Sequence, residues 1–290
     1  GDDLLMLQLR VPRGFALEAS RPGSFLFLKP PGAPEMTSVP VSVMAADVEH
    51  ESLWVILKII SAKTKALAAC EDFLEMRGIY RSGLLGKGAA GMLDLHDPGI
   101  SVRKRWLILT KGVGFAPAVN LIRWAAGRID IHVIADPEKV GDDVIRQQFR
   151  AWRPEGHRSE GGRFRLEFQS LAKLLEQPAA ASPLQQTDSI TTAPPATALH
   201  TSDSHDPDLN APCLQQTDYD RIFLLASDYY IKRLSAVMKI PPEKLVFCNN
   251  FHLCCGEGIC GACGHVDAEG NLRKMCKCRE FSALDLLLPE

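Results

Sequence analysis

Residues Cys254–Cys278 read CCGEGICGACGHVDAEGNLRKMCKC and hold six of the chain's nine cysteines. From Cys255 the spacing is Cys-x4-Cys260-x2-Cys263-x12-Cys276. Thiolate sulfur is a soft donor that ligates zinc or an iron–sulfur cluster. Gly256, Gly258 and Gly261 lie between the cysteines, where they let the backbone curl tightly and aim N–H groups at whatever the thiolates hold. Zinc prefers two Cys-x2-Cys knuckles. Cys260 and Cys263 make one, but Cys276-x-Cys278 is a residue short of the second. A redox dithiol needs only Cys260 and Cys263 and leaves the others unexplained. Extracellular disulfides need a secretory context, of which the sequence gives no sign.

The first three cysteines match the plant-type 2Fe-2S spacing, Cys-x4-Cys-x2-Cys followed by a distant fourth. The expected ligands are Cys255, Cys260, Cys263 and Cys276. Cys276 is preferred to Cys278 because it follows an expected hairpin, His265–Lys274, turning at Glu269-Gly270-Asn271. Cys254 falls outside the pattern and reads as a buried small hydrophobe, in preference to a neighbour that tunes the cluster. His252 and His265 flank the cysteines without the Cys-x-His spacing of a Rieske centre, and read as surface or supporting histidines.

The 290 residues suffice for two domains with real cores plus a small module. A formal net charge of −2 argues against nucleic-acid binding. No apolar run reaches the ~18 residues that span a bilayer. The opening Gly1-Asp2-Asp3-Leu4-Leu5-Met6 lacks the basic then apolar pattern of a signal peptide. Cysteines gathered into one metal-like cluster suit a reducing cytoplasm, so a cytoplasmic protein without membrane insertion is expected.

Apolar or alternating runs at Leu4–Val11, Ser24–Leu28, Val41–Ala45 and Leu53–Ile60, punctuated by Gly and Pro, predict a small antiparallel barrel. A helix starts near Thr64, read as its N-cap, and runs to Cys70. Its first turn offers N–H groups to an anion, or else plugs the barrel's end. Trp106–Leu109, the turn Gly112-Val113-Gly114, the helix Pro117–Trp124 and Ile131–Ile134 form a βαβ unit. Its glycine turn lacks the full GxGxxG, so packing of helix on strand explains it as well as a nucleotide does. Helices at Asp142–Trp152 and Leu171–Glu176 and a strand at Arg163–Phe168 follow. Residues 177–217 are rich in Pro, Ala, Ser, Thr and Gln, repeat LQQTD, and read as a flexible insertion. Arg221–Ala226, Tyr229–Met238 and Leu245–Phe247 then resume strand, helix and strand.

Barrel, α/β domain and C-terminal cysteine module, in that order, resemble the ferredoxin-reductase-like electron-transfer subunits. Examples are the iron–sulfur flavoprotein subunit of type B dihydroorotate dehydrogenase and the small subunit of sulfide dehydrogenase or ferredoxin:NADP transhydrogenase. The resemblance implies an FAD-binding barrel over 1–101, an NAD(P)-binding-like parallel-sheet domain over 102–245 and a 2Fe-2S module over 246–290. In relatives the barrel carries PGQF, which looks like Pro22-Gly23-Ser24-Phe25 here. A flavin-facing strand looks like Val39-Pro40-Val41-Ser42, which implies a Ser42 hydroxyl at the ring edge. GKGT before a pyrophosphate-binding helix looks like Ser61-Ala62-Lys63-Thr64. Gly78 and Tyr80 fall in what resembles a glycine-bearing loop shaping the flavin site. Of the relatives' GGGxGxAP, Gly112, Gly114, Ala116 and Pro117 remain, while Thr110 and Lys111 replace the first two glycines. The relatives' Gly-Pro after the last long strand is Leu225-Ala226-Ser227-Asp228 here, so the NADH or NADPH site is altered. The activity implied is that of an oxidoreductase subunit, working with a larger partner in a hetero-oligomer. It would pass electrons between NAD(P)H, FAD and a 2Fe-2S cluster. A relay without NAD(P), and a zinc-stapled interaction module on a degenerate reductase scaffold, are the alternatives.

Overall fold

The computed structural model describes residues 4–89, 104–125, 127–137, 164–176, 218–248, 252–267 and 269–278. The helix expected at Asp142–Trp152 and the insertion at 177–217 lie outside these residues.

The first domain is an antiparallel sheet of five strands: β1 (Leu4–Arg10), β2 (Phe25–Lys29), β3 (Val39–Asp47), β4 (Ser52–Lys58) and β5 (Glu75–Tyr80), in the order β1-β4-β3-β2-β5. Alternation sorts the side chains by face. Leu26, Leu28, Val41, Val43, Leu53 and Val55 fill the interior, where Leu67 of helix α2 (Ala62–Ala68) closes one end. Helix α1 (Arg13–Ala19) covers another part of this core with Ala16 and Ala19. The sequence carries no start signal for this helix, because Pro12 stands at the N-cap without a capping side chain.

Two corrections concern the sites. The N-cap of α2 is Ser61, and Thr64 is the N3 residue of a capping box. Gly78 and Tyr80 lie on a strand, not in a loop. The strand carries a bulge: Phe25 pairs with Tyr80 and Phe27 with Arg77, with the register shifting between them. Gly78 sits in that shift with φ +120°, a conformation that side-chain-bearing residues rarely adopt. The extra residue places Arg77 and Tyr80 on one face, which residues three apart in a regular strand would not share.

The second domain is a five-stranded parallel sheet of β6 (Arg105–Lys111), β7 (Asp130–Asp136), β8 (Phe164–Phe168), β9 (Arg221–Leu225) and β10 (Leu245–Phe247). Their order is β10-β9-β6-β7-β8. Strand order reverses between β6 and β9, so the ligand crevice of such a sheet opens at the carboxyl ends of those two strands. The sheet runs through Phe247, past the expected boundary at 245, because Val246 and Phe247 pair with Phe223 and Leu224. On the outer edge of β10, Leu85 and Phe247 exchange N–H···O bonds of 2.8 and 3.0 Å, so the loop after β5 covers that edge.

Helix α3 (Phe115–Ala125) is buried on nearly every side because it lies between the two sheets. Met44, Trp54 and Ile56 of the antiparallel domain pack with it against Trp106, Ile108 and Phe223. Asn120 and Arg123 add hydrogen bonds to the carbonyls of Ala19 and Ala46. Helices α4 (Leu171–Glu176) and α5 (Asp228–Val237) pack in the core on the opposite face, which continues through Phe25, Phe27 and Phe247 to Cys263 and Cys276. Burying each of those phenylalanines contributes about 2–3 kcal/mol. Strands β11 (Gly264–Val266) and β12 (Leu272–Lys274) form the expected hairpin, turning at Gly270. No helix among the described residues is long and apolar enough to cross a membrane.

Candidate functional site: a cysteine module on an aromatic sheet face

Ser42, Phe25 and Tyr80 form one row across β3, β2 and β5, and Pro40, Phe27 and Arg77 form the next. Directly paired residues share a face, so all six point the same way, out of the interior that holds Val41 and Leu26. Tyr80 stacks on Phe25 with ring centroids 5.2 Å apart and stands edge-on to Phe27 at 5.5 Å. The Ser42 hydroxyl lies 3.9 Å from the Cys248 thiol, just beyond β10, so this row faces the carboxyl end of the parallel sheet.

The cysteine loop rests on this face. A Cβ at Gly256 would sit 2.8 Å from the Phe27 ring, so the loop approaches as closely as a backbone can. Gly256, Gly258 and Gly261 all have φ near +70° (70°, 73° and 74°), as the spacing led us to expect of a tightly curled loop. The Cys255 sulfur accepts N–H groups from Glu257 at 3.3 Å and Cys260 at 3.5 Å. Burial pushes the Cys255 thiol up, but the N–H groups of Cys260, Glu257 and Ile259 together outweigh it and bring the pKa down to about 6. Cys276 is pushed the other way, to about 11, by burial and by its contact with Cys263.

Cys260 contacts the Cys255 thiol, and Cys276 contacts Cys263 while also feeling the Cys255 charge. Cys278 instead contacts Arg273. Cys254 is not the buried hydrophobe expected; it is half-buried and its thiol contacts Cys260. Among the described residues, no group of three or more His, Cys, Asp or Glu side chains is arranged to hold a single metal ion. Zinc in a structural site draws four ligands to one point. A 2Fe-2S cluster would instead divide four ligands between two irons.

Arg77 and Glu257, neither singled out in the sequence, tie the module to the sheet together with Tyr80. Arg77 Nη1 donates to the Cys255 carbonyl at 2.8 Å and to the Tyr80 hydroxyl at 2.5 Å, with the guanidinium 4.5 Å over the Phe27 ring. Tyr80 donates to Glu257 Oε1 at 2.6 Å. The other carboxylate oxygen of Glu257 meets Lys277 Nζ at 3.3 Å. Burial and the Glu257 carboxylate raise the Tyr80 pKa to about 12, so it remains a donor at any physiological pH. One signal for Glu257 was present: a charged residue inside a glycine-rich cysteine loop.

The expected phosphate side of the barrel is engaged internally. The Ser61 and Thr64 side chains cap α2 reciprocally, with Thr64 Oγ1 accepting the Ile60 and Ser61 N–H groups at 3.0 Å each. Lys63 Nζ donates to the Met36 carbonyl, and its charge reaches Cys254.

At the switch point of the parallel sheet, Gly112 and Gly114 form a 3-10 turn leading into Ala116 and Pro117 of α3. A Cβ at Gly114 would lie 1.8 Å from the Leu225 carbonyl oxygen, so this glycine serves the packing of the turn on β9. Lys111 Nζ pairs with the buried Asp136 at 2.7 Å and lies 5.2 Å over the Tyr230 ring. The same Asp136 oxygen accepts the Leu171 N–H at 2.8 Å. Beside them His252 Nε2 meets Asp228 Oδ2 at 2.6 Å.

No protein-family model matches the chain, and no curated protein matches it. Solved structures do. The chain is similar to one in the NADH-dependent reduced ferredoxin-NADP oxidoreductase, reported for flavin-based electron bifurcation. Their TM-score is 0.58 at 14% identity, covering 98% of this chain and 84% of that one. Looser likenesses are the ferredoxin reductase of carbazole 1,9a-dioxygenase (TM-score 0.48, 14% identity, 86% of this chain and 63% of that one) and an Amycolatopsis cytochrome P450 reductase (0.45, 13%, 84% and 64%). This chain thus spans under two thirds of the latter two. The chain shares the fold of that ferredoxin-NADP oxidoreductase chain: an antiparallel sheet domain followed by a parallel α/β domain.

Proposed function

We propose that the chain is an electron-transfer flavoprotein subunit that passes electrons between NAD(P)H, FAD and a 2Fe-2S cluster, to or from a larger oxidoreductase partner in the cytoplasm. The observation that carries this reading is the seating of a Cys-x4-Cys-x2-Cys…Cys module directly on the Phe25–Tyr80 face, the face that also holds Ser42. FAD supplies the exchange between hydride and single electrons, and a 2Fe-2S cluster supplies one-electron storage.

The residues fit such groups in distinct ways. Pro40, Ser42 and the Tyr80 ring, backed by the buried Phe25, form a surface with two hydroxyls, suited to a flat ring with a polar edge. Lys63, at the start of α2, supplies the cation on the phosphate side. Cys255 and Cys260 would hold one iron and Cys263 and Cys276 the other, with the Glu257 and Cys260 N–H groups already directed at sulfur. The exposure of Cys260 and Ile259 puts one edge of that site at the surface, where a partner protein can take the electron.

A second reading keeps both cofactors but dispenses with the nucleotide. It is favoured by the Lys111–Asp136 ion pair at the carboxyl ends of β6 and β7, against the Tyr230 ring, beside the crevice where the dinucleotide of a doubly wound sheet would lie. The test of both is an anaerobic visible spectrum of the purified chain, before and after NADH and then NADPH. Flavin and iron–sulfur bands that bleach with one nucleotide establish the first reading. Bands that bleach only with dithionite establish the second. Protein that takes up neither flavin nor iron and sulfide refutes both.

A further inference from the structure

The cysteine module could be joined to the rest of the chain by its backbone and apolar contacts alone. Instead, a charged cluster spans the junction. Arg77 and Tyr80 project from one face of β5 only because of the Gly78 bulge. Arg77 binds the Cys255 carbonyl, Tyr80 binds Glu257, and Arg77 Nη1 lies 3.4 Å from the same Glu257 oxygen. Glu257 sits inside the Cys255–Cys260 loop, where its own N–H reaches the Cys255 sulfur. Its second oxygen reaches Lys277, between Cys276 and Cys278. One carboxylate therefore straps both ends of the cysteine set to the aromatic face. Hydrogen bonds to charged groups are roughly twice as strong as neutral ones and fix direction as well as distance.

We propose that Arg77, Tyr80 and Glu257 form a positioning clamp that seats the cysteine module on the Phe25–Phe27 face and tunes the reduction potential of the 2Fe-2S cluster held there. The inference rests on the FAD/2Fe-2S reading above. Two consequences follow from the charges. Reduction adds one electron to the module, so the Glu257 carboxylate opposes it and the Arg77 guanidinium favours it. Weakening any member releases the loop that carries Cys255 and Cys260.

The test uses the full chain, loaded anaerobically with iron and sulfide, and the variants Glu257→Gln, Arg77→Met and Tyr80→Phe. In a spectroelectrochemical titration, Glu257→Gln raises the cluster potential and Arg77→Met lowers it. Opposite shifts are not what mere loosening produces, because both variants loosen the same contact. In parallel, hydrogen exchange on chain without added iron reads the seating by itself. The Glu257 and Cys260 amides exchange at least about tenfold faster in all three variants, the loss expected for a charge-assisted bond, while β11–β12 amides are unchanged. Potentials that shift in the same direction, or not at all, overturn the tuning role. Unchanged exchange at Glu257 and Cys260 overturns the clamp. If wild-type chain takes up no iron or sulfide, the 2Fe-2S reading fails and the tuning role with it, while the exchange result still decides the seating.

Discussion

The Tyr80 hydroxyl donates to the Glu257 carboxylate at 2.6 Å, across a sequence separation of 177 residues. Only Gly78, by inserting a bulge, turns Tyr80 and Arg77 to the same side, and only Gly256, lacking a side chain, lets the cysteine loop come within reach. The contact between the antiparallel sheet and the cysteine loop thus depends on two glycines as much as on its polar groups.

Gly256→Ala should therefore unseat the module. The new methyl would meet the Phe27 ring at 2.8 Å, in a residue whose φ of +70° already disfavours a side chain. Left-handed strain costs about 1–2 kcal/mol and overpacking about 1–3 kcal/mol. The expected outcome is loss of bound iron and sulfide, measured by metal analysis, with the far-ultraviolet circular dichroism of both sheets retained. Gly261→Ala is the control. It has φ +74° but nothing within 4 Å of the added Cβ, so it should keep most of its iron.

Gly114→Ala should destabilise the parallel-sheet domain more than any other glycine substitution named here. Its Cβ would lie 1.8 Å from a backbone oxygen, Leu225 O, which cannot move without opening β9. The expected loss is about 3 kcal/mol or more, read as a lowered urea midpoint. An alanine variant as stable as the wild type would show that the turn is not packed on β9.

Asp136→Asn keeps the shape at the end of β7 and an acceptor for the Leu171 N–H, but removes the negative charge facing Lys111. If the ion pair is what excludes a dinucleotide from the crevice, the variant should bind NADPH at least several-fold more tightly than the wild type in calorimetry, since each 1.4 kcal/mol is about tenfold. Equal affinity, whether weak or strong, would show that the pair does not govern access.

Stability should fall on mild acidification because of His132. Its ring sits between Tyr219 Oη at 2.7 Å and Glu167 Oε1 at 3.0 Å, near the amino end of β7 and away from the crevice. Burial lowers its pKa from 6.5, and the Glu167 charge offsets this only in part. Below pH 6.5 the unfolded chain therefore binds the proton more readily than the folded one. The stabilisation is complete above that pH and declines as pH falls toward the lowered folded-state value. Urea midpoints measured across this range should decline in the wild type and less so in His132→Gln.

Much of this protein was legible in its sequence because the signals are local. The strands of both sheets alternate or run apolar at their own positions, the βαβ unit is bounded by its own glycines, and the Cys255–Cys276 spacing is a property of one short segment. Where local signals were weak, the reading slipped. Helix α1 starts at a proline without a capping side chain, β5 looks like a loop because its bulge is a glycine, and the Ser61–Thr64 capping box was read three residues late. What only the tertiary structure decided are the relationships between distant segments. These are the pairing of Lys111 with Asp136 against the Tyr230 ring, the enclosure of α3 between two sheets, and the strap from Arg77 and Tyr80 through Glu257 to Lys277. Such contacts leave no periodicity in the chain, since each charge looks like an ordinary surface residue until the fold brings its partner within hydrogen-bonding distance and removes the water between them.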